Sequence, residues 1–205
     1  MHRVADMGIF NGIKRRKAEG ALQLTQAQYA VALAEWQKVD KQLAEMIVVV
    51  QDCIEGRTQE QFADMSDYGF MLDTDEFPVA HLQGVAYLEL DTSDGPEAIS
   101  VSDEGHAMIT NQRIMFSGST RSHEWVFTKL INMTHVPLGY TVFATSGRGT
   151  PAGLGYGEGP SLDVQFRLEI AAAMARETLP KYLDELTAQK QKHSSEAPVP
   201  PALLG

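Results

Sequence analysis

The 205-residue chain has a single cysteine, Cys53, so no disulfide can form within it and no cysteine-built metal centre is available. So low a thiol content fits a reducing compartment. Long apolar runs are missing too. The longest in the first half, Met46 to Val50, is far too short to span a bilayer. The N-terminus lacks a signal-peptide layout, because Lys14-Arg15-Arg16-Lys17 follows its few apolar residues and no long apolar stretch comes next. These absences predict a cytoplasmic protein.

Basic residues are scarce in one place. Residues 57–105 hold only Arg57 against twelve Asp and Glu, while residues 1–56 hold seven against seven and residues 106–205 nine against eight. The net charge of −10 therefore sits in the central segment. Such a field repels phosphate backbones, so no nucleic-acid partner is expected.

Motifs that carry chemistry are also lacking. None of the six histidines has the His-x-His or His-x-x-x-His spacing of a local metal pair. His123, Glu124 and His135 are the trio that neighbouring strands could bring together, although His135 more simply makes a structural hydrogen bond. The glycine-rich "SGRGTPAGLGYGEGPS" leads into a helix but lacks the Gly-Lys-Ser/Thr ending of a phosphate loop. Asp91 to Gly95 lacks the ligand spacing of a calcium loop. Cys53 has no basic neighbour to activate it and reads as a small hydrophobe. No catalytic, metal or cofactor-binding residue is assigned, and no cofactor is expected.

What is present is a sequence of periods. Over residues 21–56, Tyr29, Leu33, Trp36, Leu43, Ile47, Val50 and Ile54 recur at four-three spacing, with Asp40 in the one polar slot and Gly56 where a helix would stop. That narrow stripe predicts one long helix: a coiled-coil seam joining copies through Tyr29, Leu33, Trp36, Leu43, Ile47 and Val50, a helical hairpin, or a helix packed on its own domain. Residues 57–76 read as an acidic connector, with a short helix around Glu60 to Met65. From Phe77 the period shortens to two. Several short strands follow one another with turn chemistry between them, including the polar break Thr110-Asn111-Gln112-Arg113 and Pro137-Leu138-Gly139. This predicts a meandering antiparallel sheet or small barrel. Trp125, Phe127, Phe116, Leu130, Tyr140, Phe143 and Phe166 are its candidate core, and Glu124, Arg113 and Lys129 a cross-strand charge cluster. A helix follows from Ser161, its expected N-cap, with Leu162, Phe166, Ile170 and Met174 on one face. Another runs over 179–192 with Pro180 in its first turn. The tail 193–205 is expected to be disordered.

The segment "GHAMITNQRIMFSGSTRSHEWVFTKLINMTH" resembles one that recurs in bacterial proteins with PH/GRAM-like domains of the pleckstrin-homology superfold, carried here by Gly105, Thr110, Arg113, Phe116, Gly118, Glu124, Trp125, Lys129, Leu130 and His135. "FATSGRGTPAGLGYG" is similar to that family's next strands and "FRLEIAAAMA" to its closing helix. The resemblance covers residues 77–178 and implies a fold, not an activity. It also implies where a phosphoinositide would sit. The corresponding stretch carries Glu89, Asp91, Asp94, Glu97, Asp103 and Glu104 with no Lys or Arg, so a phosphoinositide pocket is not expected.

The expected protein is α+β: a basic leader (1–20), a long helix (21–56), the connector (57–76), a PH/GRAM-like domain (77–178), a C-terminal helix and a tail. The leading functional expectation is a non-enzymatic interaction module. It binds a protein or peptide partner, for instance by a strand added to an open edge, and forms homo-oligomers through its long helix. The alternative is a peripheral membrane protein. Its apolar Ile9, Phe10 and Ile13 beside Lys14, Arg15, Arg16 and Lys17 would dock on an anionic membrane surface, each cation contributing about 1 kcal/mol. An enzyme with unrecognised chemistry ranks third.

Overall fold

The four-three stripe forms one helix, α1 (Gln26–Ile54), in the computed structural model, which describes residues 26–57, 69–91, 98–145 and 151–200. The leader and the helix expected at Glu60 to Met65 lie outside these residues. Helix α1 ends in a Schellman turn. Gly56 adopts φ 82°, its N–H donates to the Cys53 carbonyl and that of Arg57 to the Asp52 carbonyl. Along the stripe Leu43 and Val50 are buried. Cys53, not Ile54, continues it in the last turn, and Ile54 is 41% exposed.

The other elements are strands β1 (Pro78–Asp91), β2 (Ala98–Thr110), β3 (Arg113–Gly118) and β4 (Ser122–Val126), a 3-10 turn (Phe127–Lys129), strands β5 (Leu130–Val136), β6 (Tyr140–Thr145) and β7 (Ala152–Gly155), and helices α2 (Ser161–Ala175) and α3 (Leu179–Ser195). Helix α3 thus continues three residues beyond its expected end at 192. Ser161 is the first helical residue of α2 rather than its N-cap; Pro160 precedes it, and the Ser161 hydroxyl accepts from the Gln165 side chain.

The chain divides into two compact units, residues 1–45 with 188–205 and residues 46–187. In the smaller unit α1 and α3 run antiparallel. The Trp36 ring stacks on His193 with centroids 5.0 Å apart. Trp36 Nε1 donates to the His193 carbonyl at 2.9 Å, and His193 Nε2 donates to the Trp36 carbonyl at 3.0 Å. One turn along, Lys190 Nζ donates to Asp40 Oδ1 at 2.7 Å and holds that carboxyl below its ordinary pKa. The one polar slot of the stripe is therefore filled by an ion pair.

In the larger unit the seven strands among the described residues form one antiparallel sheet in the order β4-β3-β2-β1-β7-β6-β5. The sheet is open, with β4 and β5 at its edges, rather than a closed barrel. Laid flat, six interstrand spacings would separate those edges by about 29 Å. The three-residue turn joining β4 to β5 reaches about 15 Å at most, so the sheet must coil until its edges meet at that corner. Arg176, the residue after α2, fastens the corner, donating to the carbonyls of Phe127 and Leu130 at 3.0 Å each.

The core follows from strand parity. Phe116, Trp125, Phe127, Leu130, Phe143 and Phe166 are buried, and Tyr87 joins them, stacked 5.6 Å from Trp125. Tyr140 does not belong to this core. On β6 Thr141 and Phe143 face inward, so period-two alternation leaves Tyr140 on the other side, half-buried. Helix α2 is buried on more than one stripe. Val164, Phe166, Leu168, Ile170 and Ala171–Ala173 are all covered, while Leu162, expected on the packed face, is 41% exposed.

Candidate functional site

The polar break at residues 110–113 is a two-residue turn between β2 and β3, and its side chains bind a second segment. Thr110 Oγ1 accepts the N–H groups of Gln112 and Arg113 at 3.1 and 3.0 Å and donates to Glu76 Oε1 at 2.6 Å. Asn111 accepts the Phe77 N–H at 2.9 Å and donates to the Asp75 carbonyl at 3.1 Å. It thereby holds Asp75 at φ 65°, a conformation uncommon for a residue with a side chain. Arg113 forks onto Glu76, Nε to Oε1 at 3.0 Å and Nη2 to Oε2 at 2.9 Å, and reaches Glu124 at 2.8 Å.

The Glu76 side chain is fully buried. Burial alone would raise its pKa, but the bonds from Arg113, the Asp73 amide and the Thr110 hydroxyl prevail and hold it below the ordinary value. The expected Glu124–Arg113 pair is present. Lys129 is not its third member; it is exposed on the 3-10 turn, and Glu76 takes that place.

A second cluster closes the β3–β4 loop. Asp103 accepts from the Ser119 hydroxyl at 2.7 Å, the amide and hydroxyl of Thr120 at 2.9 Å each and the Arg121 amide at 3.0 Å. These donors, Ser119 foremost, hold its carboxyl well below the usual carboxylate range. Beside it a Cβ on Gly105 would lie 2.1 Å from the Ser117 carbonyl oxygen, so β2 and β3 approach there only because position 105 is glycine.

A third chain of bonds crosses the other half of the sheet. His135 Nε2 lies 2.8 Å from Glu169 Oε1, His135 Nδ1 lies 2.8 Å from Thr141 Oγ1, and Thr141 Oγ1 lies 2.8 Å from the Tyr156 hydroxyl. Carboxylate, imidazole and hydroxyl stand in the order of an acyl-transfer triad. Thr141 is fully buried, however, and its oxygen is already bonded to both His135 and Tyr156, so no substrate carbonyl reaches it. The arrangement ties β5, β6 and the residue after β7 to α2.

Beside Glu169 lies a cavity of about 300 Å³ whose lining includes Arg176, Lys181, Tyr182 and Glu185. Arg176 is engaged with backbone carbonyls, and Lys181 faces Glu185 at 3.5 Å. Burial raises the Tyr182 hydroxyl pKa.

Sequence spacing gave no sign of a fourth cluster. His81 on β1 and His106 on β2 are diagonal cross-strand neighbours with ring nitrogens 3.4 Å apart, and Phe70 lies 4.9 Å from the His106 ring. Burial and the neighbouring imidazole lower the His81 pKa. The trio His123, Glu124 and His135 is not assembled. His135 is bonded instead to Thr141 and Glu169, and among the described residues no group of three or more His, Cys, Asp or Glu is placed to hold a metal.

Ile9, Phe10, Ile13 and Lys14 to Lys17 lie outside the described residues. Of the stripe expected to join copies, Trp36 is occupied by α3 of the same chain; Leu43 and Val50 are buried, and Tyr29, Leu33 and Ile47 half-buried. No helix among the described residues is long and apolar enough to cross a membrane.

The sheet leaves strand edges open. Among the described residues strands β4 and β5 each pair on one side only. Strand β2 pairs with β3 from Gly105 to Ile109, so the arm formed by the end of β1 and the start of β2 projects beyond β3. On that arm Ile99 and Val101 are 40% and 61% exposed.

No family model matches the sequence, and no curated protein matches it. Among solved structures the chain is similar to the C-terminal domain of an unknown protein from Leishmania infantum, at 12% identity and a TM-score of 0.35, over 58% of this chain and 97% of that one.

Proposed function

We propose that the protein is a non-enzymatic interaction module: a PH-like domain that binds a protein or peptide partner by accepting a strand. The open edges carry this reading. The polar clusters, by contrast, are closed on themselves: Arg113 on Glu76 and Glu124, Asp103 on its loop, His135 between Thr141 and Glu169. Two successive meanders, β1–β4 and β5–β7, closed by α2, support the pleckstrin-homology reading. A phosphoinositide is disfavoured by the six carboxylates of residues 89–105.

A second reading rests on the leader. Ile9, Phe10 and Ile13 next to four consecutive cations suit docking on an anionic bilayer from the cytoplasmic side. Flotation with anionic vesicles, run on the full chain and on a chain lacking residues 1–20, separates the two. The interaction-module reading predicts that neither floats. If only the full chain floats, the leader is a membrane anchor; if both float, the domain itself binds lipid and the charge argument fails.

A further inference from the structure

We infer that the projecting β1–β2 arm is the docking edge, and that its occupant is an extended basic segment of another protein whose apolar and Lys or Arg residues alternate. The inference rests on the interaction-module reading and names the surface and the chemistry of the partner. In the β1–β2 ladder Leu90 faces Ile99 and Leu88 faces Val101. Cross-strand partners share a face of the sheet. Leu88 and Leu90 are buried, whereas Ile99 and Val101 are exposed, so an apolar face starts under cover at β1 and runs out to an uncovered edge. Among the described residues no strand pairs with β2 on that side before Gly105. A seven-residue edge, 98–104, bearing two exposed β-branched side chains is a template for a further strand. A strand laid there would complete the face, setting its own apolar residues against Ile99 and Val101.

Charge decides which strand. Residues 89–105 carry Glu89, Asp91, Asp94, Glu97, Asp103 and Glu104 and no Lys or Arg. Asp103 is consumed by its loop and Glu89 is paired with Arg121; the same stretch of sequence also carries Asp91, Asp94, Glu97 and Glu104. A second copy of this chain would set the same carboxylates against each other, and like charges directly opposite destabilise a strand pair. Lys or Arg at every second position of the incoming strand meets the acidic surround instead, and steers encounter by long-range attraction.

The test uses the full chain and a labelled, amidated heptapeptide, Lys-Val-Lys-Val-Lys-Val-Lys. Two control peptides accompany it, one with glutamate for lysine and one with proline for the central valine. Binding is followed by fluorescence anisotropy, and the bound edge is mapped by amide exchange. The expected result is binding that weakens with salt, slowed exchange at residues 99–102, and no binding of the glutamate or proline peptides. The substitutions I99K and V101K, both at exposed positions, should each weaken binding by about tenfold or more, a loss of at least 1.4 kcal/mol. Equal binding of the proline peptide would mean charge attraction without strand addition and would overturn the inference. Slowed exchange at 122–126 or 130–136 instead would move the docking edge to β4 or β5, sinking the arm but leaving the interaction module standing. Absence of binding, or a dimer dispersed by V101K without peptide, would also overturn it.

Discussion

Arg113→Met strands a carboxylate in the interior. The Glu76 side chain has no exposure and receives two bonds from that guanidinium, at 3.0 and 2.9 Å. Removing one partner of a buried ion pair costs about 3–5 kcal/mol. The Thr110 hydroxyl and the Asp73 amide still reach Glu76, so the lower end, about 3 kcal/mol, applies, equivalent to a fall in Tm of about 10 °C for a unit of this size. The pH dependence then changes sign. In the native protein Glu76 titrates below its unfolded value, so its contribution is present above that value and lost as pH falls through the folded pKa. Without the cation, burial raises the folded pKa above the unfolded one, and the deficit shrinks as the carboxyl takes up a proton between about pH 7 and pH 5. Urea denaturation of wild type, R113M and the apolar pair E76L/R113M at both pH values measures this. The double variant should recover much of the loss, because an apolar pair leaves no buried charge. A deficit in R113M below about 1 kcal/mol, or one that does not change with pH, would refute the reasoning.

Gly105→Ala places a methyl 2.1 Å from the Ser117 carbonyl oxygen and must part β2 from β3 at a cost of about 1–3 kcal/mol, whereas Gly159→Ala, with nothing within 4 Å, should be silent in the same denaturation assay. Asp103→Asn should speed amide exchange at Thr120 and Arg121. In the wild type the carboxyl's depressed pKa should keep those amides protected while pH is lowered through the usual carboxylate range. Thr141→Val leaves His135 and Tyr156 each short of a bond and should cost about 1–3 kcal/mol in a melt, the mark of a structural strut.

The architecture was legible where a period persists. The four-three stripe specified α1, and Gly56 its end. Alternation and turn chemistry specified a meandering sheet, and the break at 110–113 the hairpin between β2 and β3. What escaped depends on contacts distant in sequence. Glu76 lies thirty-seven positions from Arg113, in a segment that looked like a solvated acidic connector, and only the fold shows that it is buried. Asp103 looked like one acid among six until the β3–β4 loop closed over it. His81 and His106 meet through strand register, which their separation of twenty-five residues does not encode. Parity misplaced Tyr140 by one step, because the inward face of β6 is set by Thr141 and its bonds to His135 and Tyr156 rather than by the size of its neighbour. The choice between barrel and open sheet was not visible either, since it depends on whether β4 and β5 pair beyond the corner that joins them.

Site-specific photo-cross-linking in the cells that make the protein tests its role most directly. A photoreactive residue is placed in turn at Ser100 on the arm, Ser122 on β4 and Ile131 on β5, and the adducts are weighed. The interaction-module account predicts a discrete polypeptide adduct from an edge position, strongest from Ser100, and none from an exposed helical control at Val31. Lipid adducts alone, or no adduct at any of the three edges, would contradict it.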